Sequence, residues 1–345
     1  MITAVSVIAA GMVTPVGFNY ESSCAAIRAG ISGVKQANLW DAENGEYLSA
    51  GKVNLPQWWQ GIGKLADLVA PAIWECLEAA KPEPPNRIPI LLGIAPHDRP
   101  HRLPHLDEEI LDEVEWRLEL TRHPESRIIP TGNVSGAVGL QLTQEILGAG
   151  IAHYCVVAGV DSFLQQDVVE AYMDQRRIVT KSNSNGFFPG EAGCAVLVGP
   201  QGQSSKDELK IAGLAHGTGE VPTASEDPSR GILLTKLVRE ALGQAGMKME
   251  ETFYRNTDIS GEHAKFKEAS FIPSRIQRKP LPYLHELWHP IEYFGEIGAA
   301  NVPCELGVSF YYGRRNAGAG PRGICHFGSD SGERAAMVVE YRTNN

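Results

Sequence analysis

The chain opens on an apolar run, Thr3 to Ala10, with no regular alternation of polar and apolar positions. Such a run suits a strand covered on both faces. Ile88 to Ile94, Tyr154 to Gly159 and Ala192 to Val198 repeat the pattern. Strands are also predicted over Ser126 to Thr131, Leu209 to Ala215, Thr252 to Asn256 and Met337 to Tyr341. Between these runs the spacing turns helical. A helix is expected from Tyr20 to Ala29, with Gly30 as its stop. Another covers 61 to 80, with Pro71 expected to kink or break it. Over 107 to 122, Ile110, Leu111, Val114, Leu118 and Leu120 stand among acids, the mark of a surface helix with a narrow apolar face. Gly136 to Leu147, Ser229 to Ala245 and Asn301 to Tyr312 complete the helical set. Gly11 to Gly17 reads as a Gly/Pro loop.

Strands alternating with helices in two comparable stretches predict an α/β protein with covered sheets. Turn and linker residues cluster at Gly199 to Lys206, which divides the 345 residues into 1–203 and 204–345. That length suits about two domains. At 43% hydrophobic and 21% charged residues, the composition excludes a disordered chain.

A net charge of −10 argues against a grip on nucleic acid or an anionic membrane. No apolar run reaches the roughly 18 residues of a membrane span. Met1 to Ala10 lacks a basic leader region and runs straight into Gly11 and Pro15, so it reads as a strand and the expected location is the cytoplasm. The six cysteines form no CxxC pair and are too few for a secreted disulfide scaffold.

Several segments, in order, resemble β-ketoacyl synthases, condensing enzymes of the thiolase-like superfamily. Gly11-Met-Val-Thr-Pro-Val-Gly17 and Ile27-Arg-Ala-Gly-Ile-Ser-Gly33 are similar to their N-terminus. Ile129-Pro-Thr-Gly-Asn-Val-Ser-Gly136 resembles their nucleophile turn, and Val156-Val-Ala-Gly-Val-Asp161 the strand that follows. Gly186-Phe-Phe-Pro-Gly-Glu-Ala-Gly193 resembles a further glycine-rich segment. Gly298-Ala-Ala300 and His326-Phe-Gly328 extend the likeness, more weakly, into the second half. The resemblance implies a thiolase-like αβαβα sandwich made of two related halves. It also implies a dimer contact at an edge strand, expected at the segment beginning at Tyr154.

The family's chemistry uses a cysteine at a helix N-terminus, where the dipole favours thiolate, and two histidines that stabilise an enolate. Laid on this chain, the cysteine position is Asn133. The first histidine falls on Asp258 and the second on Gly295. All three catalytic residues are thus replaced, and the C-terminal glycine-rich gate loop is altered to Gly328-Ser-Asp-Ser-Gly332. Ala215-His-Gly-Thr-Gly219 copies the family's histidine motif but stands directly after the mid-chain linker, ahead of the helix that should precede it.

Two readings follow. The first is a non-catalytic relative acting as scaffold, adaptor or partner subunit, without cofactor or metal. Its partners would be a second copy or a related subunit, as for chain-length factors, or an acyl carrier protein or secretion effector, since degenerate relatives occur near type VI secretion genes. The second is an enzyme on acyl or thioester substrates, with a site rebuilt from Asp258, Glu296 and His216 or His289, and Glu262 nearby. An open, ligand-sized pocket at Asn133 with converging carboxylates would favour the enzyme. A pocket filled by Phe or Tyr would favour the adaptor.

Overall fold

The computed structural model describes residues 3–202, 207–223, 225, 227–281 and 283–343. The boundary expected at 203/204 lies outside the described residues. The N-terminal half runs β1 (Val5–Val13), α1 (Tyr20–Arg28), β2 (Val34–Asp41), β3 (Glu46–Gly51), α2 (Ile62–Ala79), β4 (Ile90–Gly93), α3 (Leu106–Leu118), β5 (Arg127–Ile129), α4 (Ser135–Gly148), β6 (Cys155–Ser162), α5 (Gln166–Asp174) and β7 (Glu191–Pro200). The C-terminal half runs β8 (Glu208–Thr218), α6 (Ile232–Ala245), β9 (Tyr254–Thr257), α7 (His263–Ile276), β10 (Glu286–Trp288), α8 (Asn301–Arg315), β11 (Arg322–Gly328) and β12 (Glu333–Arg342).

Ten strands lie in the order β10-β9-β11-β12-β8-β1-β7-β6-β4-β5. Read outward from the β1–β8 joint, each half repeats one scheme. Two antiparallel pairings come first, β1–β7–β6 and β8–β12–β11, and two parallel ones follow, β6–β4–β5 and β11–β9–β10. The joint itself spans two residue pairs, Ser6 with Lys210 and Val7 with Leu209.

The buried clusters define the layers. One packs α2 and α3 on the N-terminal sheet through Leu68, Ile73, Ile110 and Leu92. A second sets α6 and α7 on the C-terminal sheet through Val238, Ala241 and Ile272. The largest joins α4 and α8 to inward-facing residues of both halves, such as Val157, Val196, Phe327 and Met337. This is the expected five-layered αβαβα arrangement.

Several local expectations change. Residues Gly11 to Val13 extend β1, because Gly11 lets the strand touch α2; a Cβ there would lie 2.0 Å from the Ala72 carbonyl oxygen. Pro71 sits inside α2 without dividing it. The segment beginning at Tyr154 leads into β6, which is paired on both sides by β4 and β7 and is therefore no edge. Among the described residues the outermost strand of the N-terminal half is β5, immediately before the Gly132–Val134 turn.

Candidate functional site

Two matching turns build the centre of the molecule. After β5, Gly132 takes a left-handed conformation (φ 57°), a 3-10 turn covers Gly132–Val134, and α4 begins at Ser135. In the other half Gly298 does the same (φ 49°), a 3-10 turn covers Gly298–Ala300, and α8 begins at Asn301. Left-handed backbone of this kind suits glycine. Gly159 on β6 lets the second turn rest on the sheet, since a Cβ there would lie 1.9 Å from the Ala299 carbonyl oxygen.

Asn133 stands at the N-terminal approach to α4, and its amide donates to two carboxylates from the other half. Nδ2 lies 3.0 Å from Asp258 Oδ2 and 3.2 Å from Glu296 Oε1. Glu296 Oε1 also accepts from the Gly298 N–H at 2.9 Å and from Asn301 Nδ2 at 3.0 Å. Lys265 Nζ, from the first turn of α7, donates to Glu296 Oε2 at 3.2 Å and to the Asp258 carbonyl at 3.2 Å, and lies 3.7 Å from Asp258 Oδ2. Gly328 N–H donates to Asp258 Oδ2 at 3.2 Å.

The environment pushes the two acids in opposite directions. Burial raises the Asp258 pKa, and Glu296 adds to the rise against the pull of Lys265 and Asn133. Burial also works against the Glu296 charge, but Lys265, the Gly298 N–H and Asn301 outweigh it and hold this carboxyl below its usual range. Burial opposes the charge on Lys265 as well; Glu296 and Asp258 overcome it and raise its pKa. The arrangement is therefore a carboxylate–ammonium pair beside a carboxyl group that protonates more readily.

This cluster borders a cavity of about 370 Å³, lined among others by Asn133, Lys265, Glu296, Phe163, Tyr172 and Phe187. The aromatic rings form a wall, with centroids 5.3 to 5.8 Å apart, and leave the space open. Cations on that wall are engaged by acids. Arg99 grips Asp161 with both guanidinium nitrogens, at 3.1 and 2.8 Å, and stacks 3.8 Å over Phe163. Arg177 clamps Glu262 and Asp330 through four hydrogen bonds of 2.7 to 3.0 Å. A second cavity of about 180 Å³ continues past Asp258 and Lys265 beneath α6 and α7. Among the described residues, no three His, Cys, Asp or Glu side chains converge so as to hold a metal ion.

The sequence-derived candidates thus separate. Asn133, Asp258 and Glu296 meet in one cluster. Gly295, assigned to the second histidine position, lies with φ 80° against the Phe188–Pro189 backbone, and the side chain that enters the site is the next one, Glu296. Glu262 sits before α7, held by Arg177. His216, in β8, pairs with Ala335 of β12, and His289 faces Glu292 at 3.6 Å and the Phe266 ring; neither lines the cavity at Asn133. Ser135 Oγ points to the Ala299 carbonyl, inside the core. All six cysteines are buried. Sequence reasoning missed Lys265, Arg177 and Asp330. Lys265 follows Asp258 by seven residues, and the loop over 259–262 with the first turn of α7 brings its amine back to the Asp258 carbonyl.

No family model matches the sequence. Over 178 residues, 47% of this chain, it is 25% identical to a partially reducing polyketide synthase, men1, of Menisporopsis theobromae, and the match spans 7% of that protein. Among solved structures it resembles a ketosynthase in complex with its chain length factor from Xenorhabdus doucetiae (14% identity, TM-score 0.73, 99% of this chain and 98% of that one). It also resembles a type II polyketide synthase assembly of acyl-carrier protein and ketosynthase (14% identity, TM-score 0.77, 99% and 100%). Among the described residues no helix is long and apolar enough to cross a membrane. Repeated strand order in the two halves, paired central helices and likeness over nearly the whole length give this chain the thiolase-like fold of ketosynthases and chain length factors.

Proposed function

We propose that this chain is a non-catalytic ketosynthase-fold subunit that pairs with a related protein, as the chain length factor pairs with its ketosynthase in the resembling complex. One observation carries the reading. The position that would hold a nucleophile is Asn133, whose amide is bound to two buried carboxylates that Lys265 partly neutralises. The resemblance implies acyl exchange through a cysteine thiolate at this position, and an amide offers no such nucleophile. Burial raises the thiol pKa of Cys24, Cys76, Cys155 and Cys325, and hydrogen bonding to Cys194 together with burial raises that of Cys304. The outermost strand, β5, is the natural place for pairing, and an acyl carrier protein or a secretion effector would be the further partner.

The open cavity favours a second reading, an acid–base enzyme on an acyl or thioester substrate with Asp258 as acid. One experiment separates the two. Purified protein is incubated with acyl-CoA and with acyl-loaded carrier protein, and adducts are read by intact mass and thioester loss by chromatography. The subunit reading expects neither an adduct nor turnover above the protein-free rate. Turnover that disappears in Asp258→Ala, with folding intact, would replace it with the enzyme.

A further inference from the structure

A second feature lies on the outside of the N-terminal half, where α2 meets α3. Trp58 is 86% exposed and Trp116 75% exposed, with Trp59 beside Trp58 at 39% and ring centroids 6.2 Å apart. Large aromatic rings left this open are unusual on a monomeric surface, and tryptophan is enriched where proteins bind one another. The Trp59 indole is held by a hydrogen bond, and Trp58 and Trp116 rest against Trp59 and Arg117. Asp67 on α2 accepts from Trp59 Nε1 at 2.6 Å and from Arg117 Nε at 2.6 Å. Arg117 in turn donates to the Gly63 carbonyl at 3.1 Å and lies under the Trp116 ring, 5.6 Å from its centroid. One buried-side acid thus ties the loop carrying Trp58 and Trp59 to the helix carrying Trp116. Rigid aromatic anchors lose little freedom on binding.

The surroundings state what would sit there. From 106 to 119 the sequence holds seven acids and one base, Arg117, and that base is spent on Asp67 and Glu113. Glu108, Glu109, Asp112 and Glu119 are exposed on α3, the helix that carries Trp116, and at its C-cap. Arg122 pairs with Asp112 and Glu115 and does not reverse the balance. A second copy of the same face would bring acid against acid, and an anionic membrane would be repelled in the same way. We propose that this face docks a lysine- or arginine-rich protein segment that carries apolar anchor residues. The inference does not depend on whether the central site is catalytic.

The test uses the full chain and three fluorescein-labelled peptides of about 15 residues: Lys/Leu and Glu/Leu with the same apolar spacing, and Lys/Ser without apolar anchors. Fluorescence anisotropy should show the Lys/Leu peptide binding, weakened about tenfold or more by Trp58→Ala with Trp116→Ala, and likewise by Glu109→Lys with Asp112→Lys. These side chains are exposed, so an unchanged melting temperature confirms that folding is intact. Exchange protection on the Lys/Leu complex should map to 58–67 and 106–119. Equal binding of Glu/Leu or Lys/Ser, or Lys/Leu binding unaffected by both double variants, overturns the proposal. Concentration-dependent dimerisation lost in the Trp double variant would assign the face to a second copy instead, and co-sedimentation with anionic vesicles lost in that variant would assign it to a membrane.

Discussion

The two halves share a strand order but cover the outer faces of their sheets differently. In the N-terminal half, α2 and α3 cover the sheet with hydrocarbon: Leu68, Ile73, Leu77, Leu92 and Val156 are at most 1% exposed and belong to one cluster. In the C-terminal half the apolar cluster under α6 and α7 is smaller, and charged groups are buried beside it. Arg334 pairs with Glu268 at 2.9 Å, Arg255 donates to the Ala269 carbonyl, and Lys265 serves Asp258 and Glu296. Burying an apolar surface is insensitive to protonation, whereas burying charge holds only while each ion keeps its partner. The cavity lies where the halves meet, with Phe163, Tyr172 and Phe187 from one and Lys265, Glu296 and Asp330 from the other, so the candidate site is where buried ion pairs such as Arg99–Asp161 and Lys265–Glu296 gather.

The sharpest way to break this contrast is Lys265→Met. It would leave the Glu296 and Asp258 carboxyls buried without their cation, and a loss of about 3–5 kcal/mol is expected from denaturant titration. Adding Glu296→Gln and Asp258→Asn should restore much of it, because no charge then remains to strand. A loss under about 1 kcal/mol for the single variant would mean the cluster is solvated and the contrast unfounded. On the other side, Leu92→Ala empties a fully buried site beneath α2 and should cost about 2–5 kcal/mol. That cost should be the same at pH 5 and pH 8, while the cost of Lys265→Met should shrink toward acid as the carboxylates protonate.

The contrast also explains what could be read in the sequence. Uninterrupted apolar runs marked β1, β4, β6 and β7 because both faces of those strands are covered. The hairpin of β2 and β3, half-exposed and polar, left no such mark, and β11 went unpredicted although Gly323 to Phe327 are buried. Of the residues singled out near the glycine-rich turns, Asn133, Asp258 and Glu296 lie together, whereas Gly295 brings no side chain to them. Which of Gly295 and Glu296 enters the site depends on a left-handed glycine packed against Phe188 and Pro189, which spacing does not encode. Lys265, Arg177 and Asp330 reach the cluster from a helix and two loops, so only the assembled tertiary structure brings them together. The edge expected at Tyr154 failed for the same reason: strand neighbours follow from crossovers, not from hydrophobicity.

A smaller effect should come from His326. Its Nδ1 lies 3.1 Å from Thr257 Oγ1, and burial pushes its pKa down to about 3, with Arg255 adding to the shift. The folded protein therefore keeps it neutral while the unfolded chain takes up a proton near pH 6.5. Its contribution is complete above about pH 6.5 and is lost as pH falls from there toward 3. At pH 5 the loss is on the order of 2 kcal/mol, from the pH distance below 6.5. Stability measured from pH 8 to pH 4 should fall less steeply in His326→Asn than in the parent. Equal slopes would place the acid sensitivity elsewhere.

The smallest effect tests the rim of the same site. Arg177 holds Asp330, and although burial opposes its charge, that partner lowers the carboxyl pKa to about 2. A lowered carboxylate pKa stabilises the fold above about pH 4 and loses that stabilisation as pH drops through about 2. The Asp330 side chain is 41% exposed, however, so water screens the pair and its worth is under about 1 kcal/mol. Asp330→Asn should therefore lower stability at pH 7 by that small amount and by nothing below pH 2. Glu262, at 9% exposure on the other arm of the Arg177 clamp, lacks that screening, so Glu262→Gln should cost more than Asp330→Asn in the same denaturant titration. If the two variants cost the same, depth of burial is not what sets the strength of the clamp, and the ion pairs around the cavity act as one network rather than as a graded series.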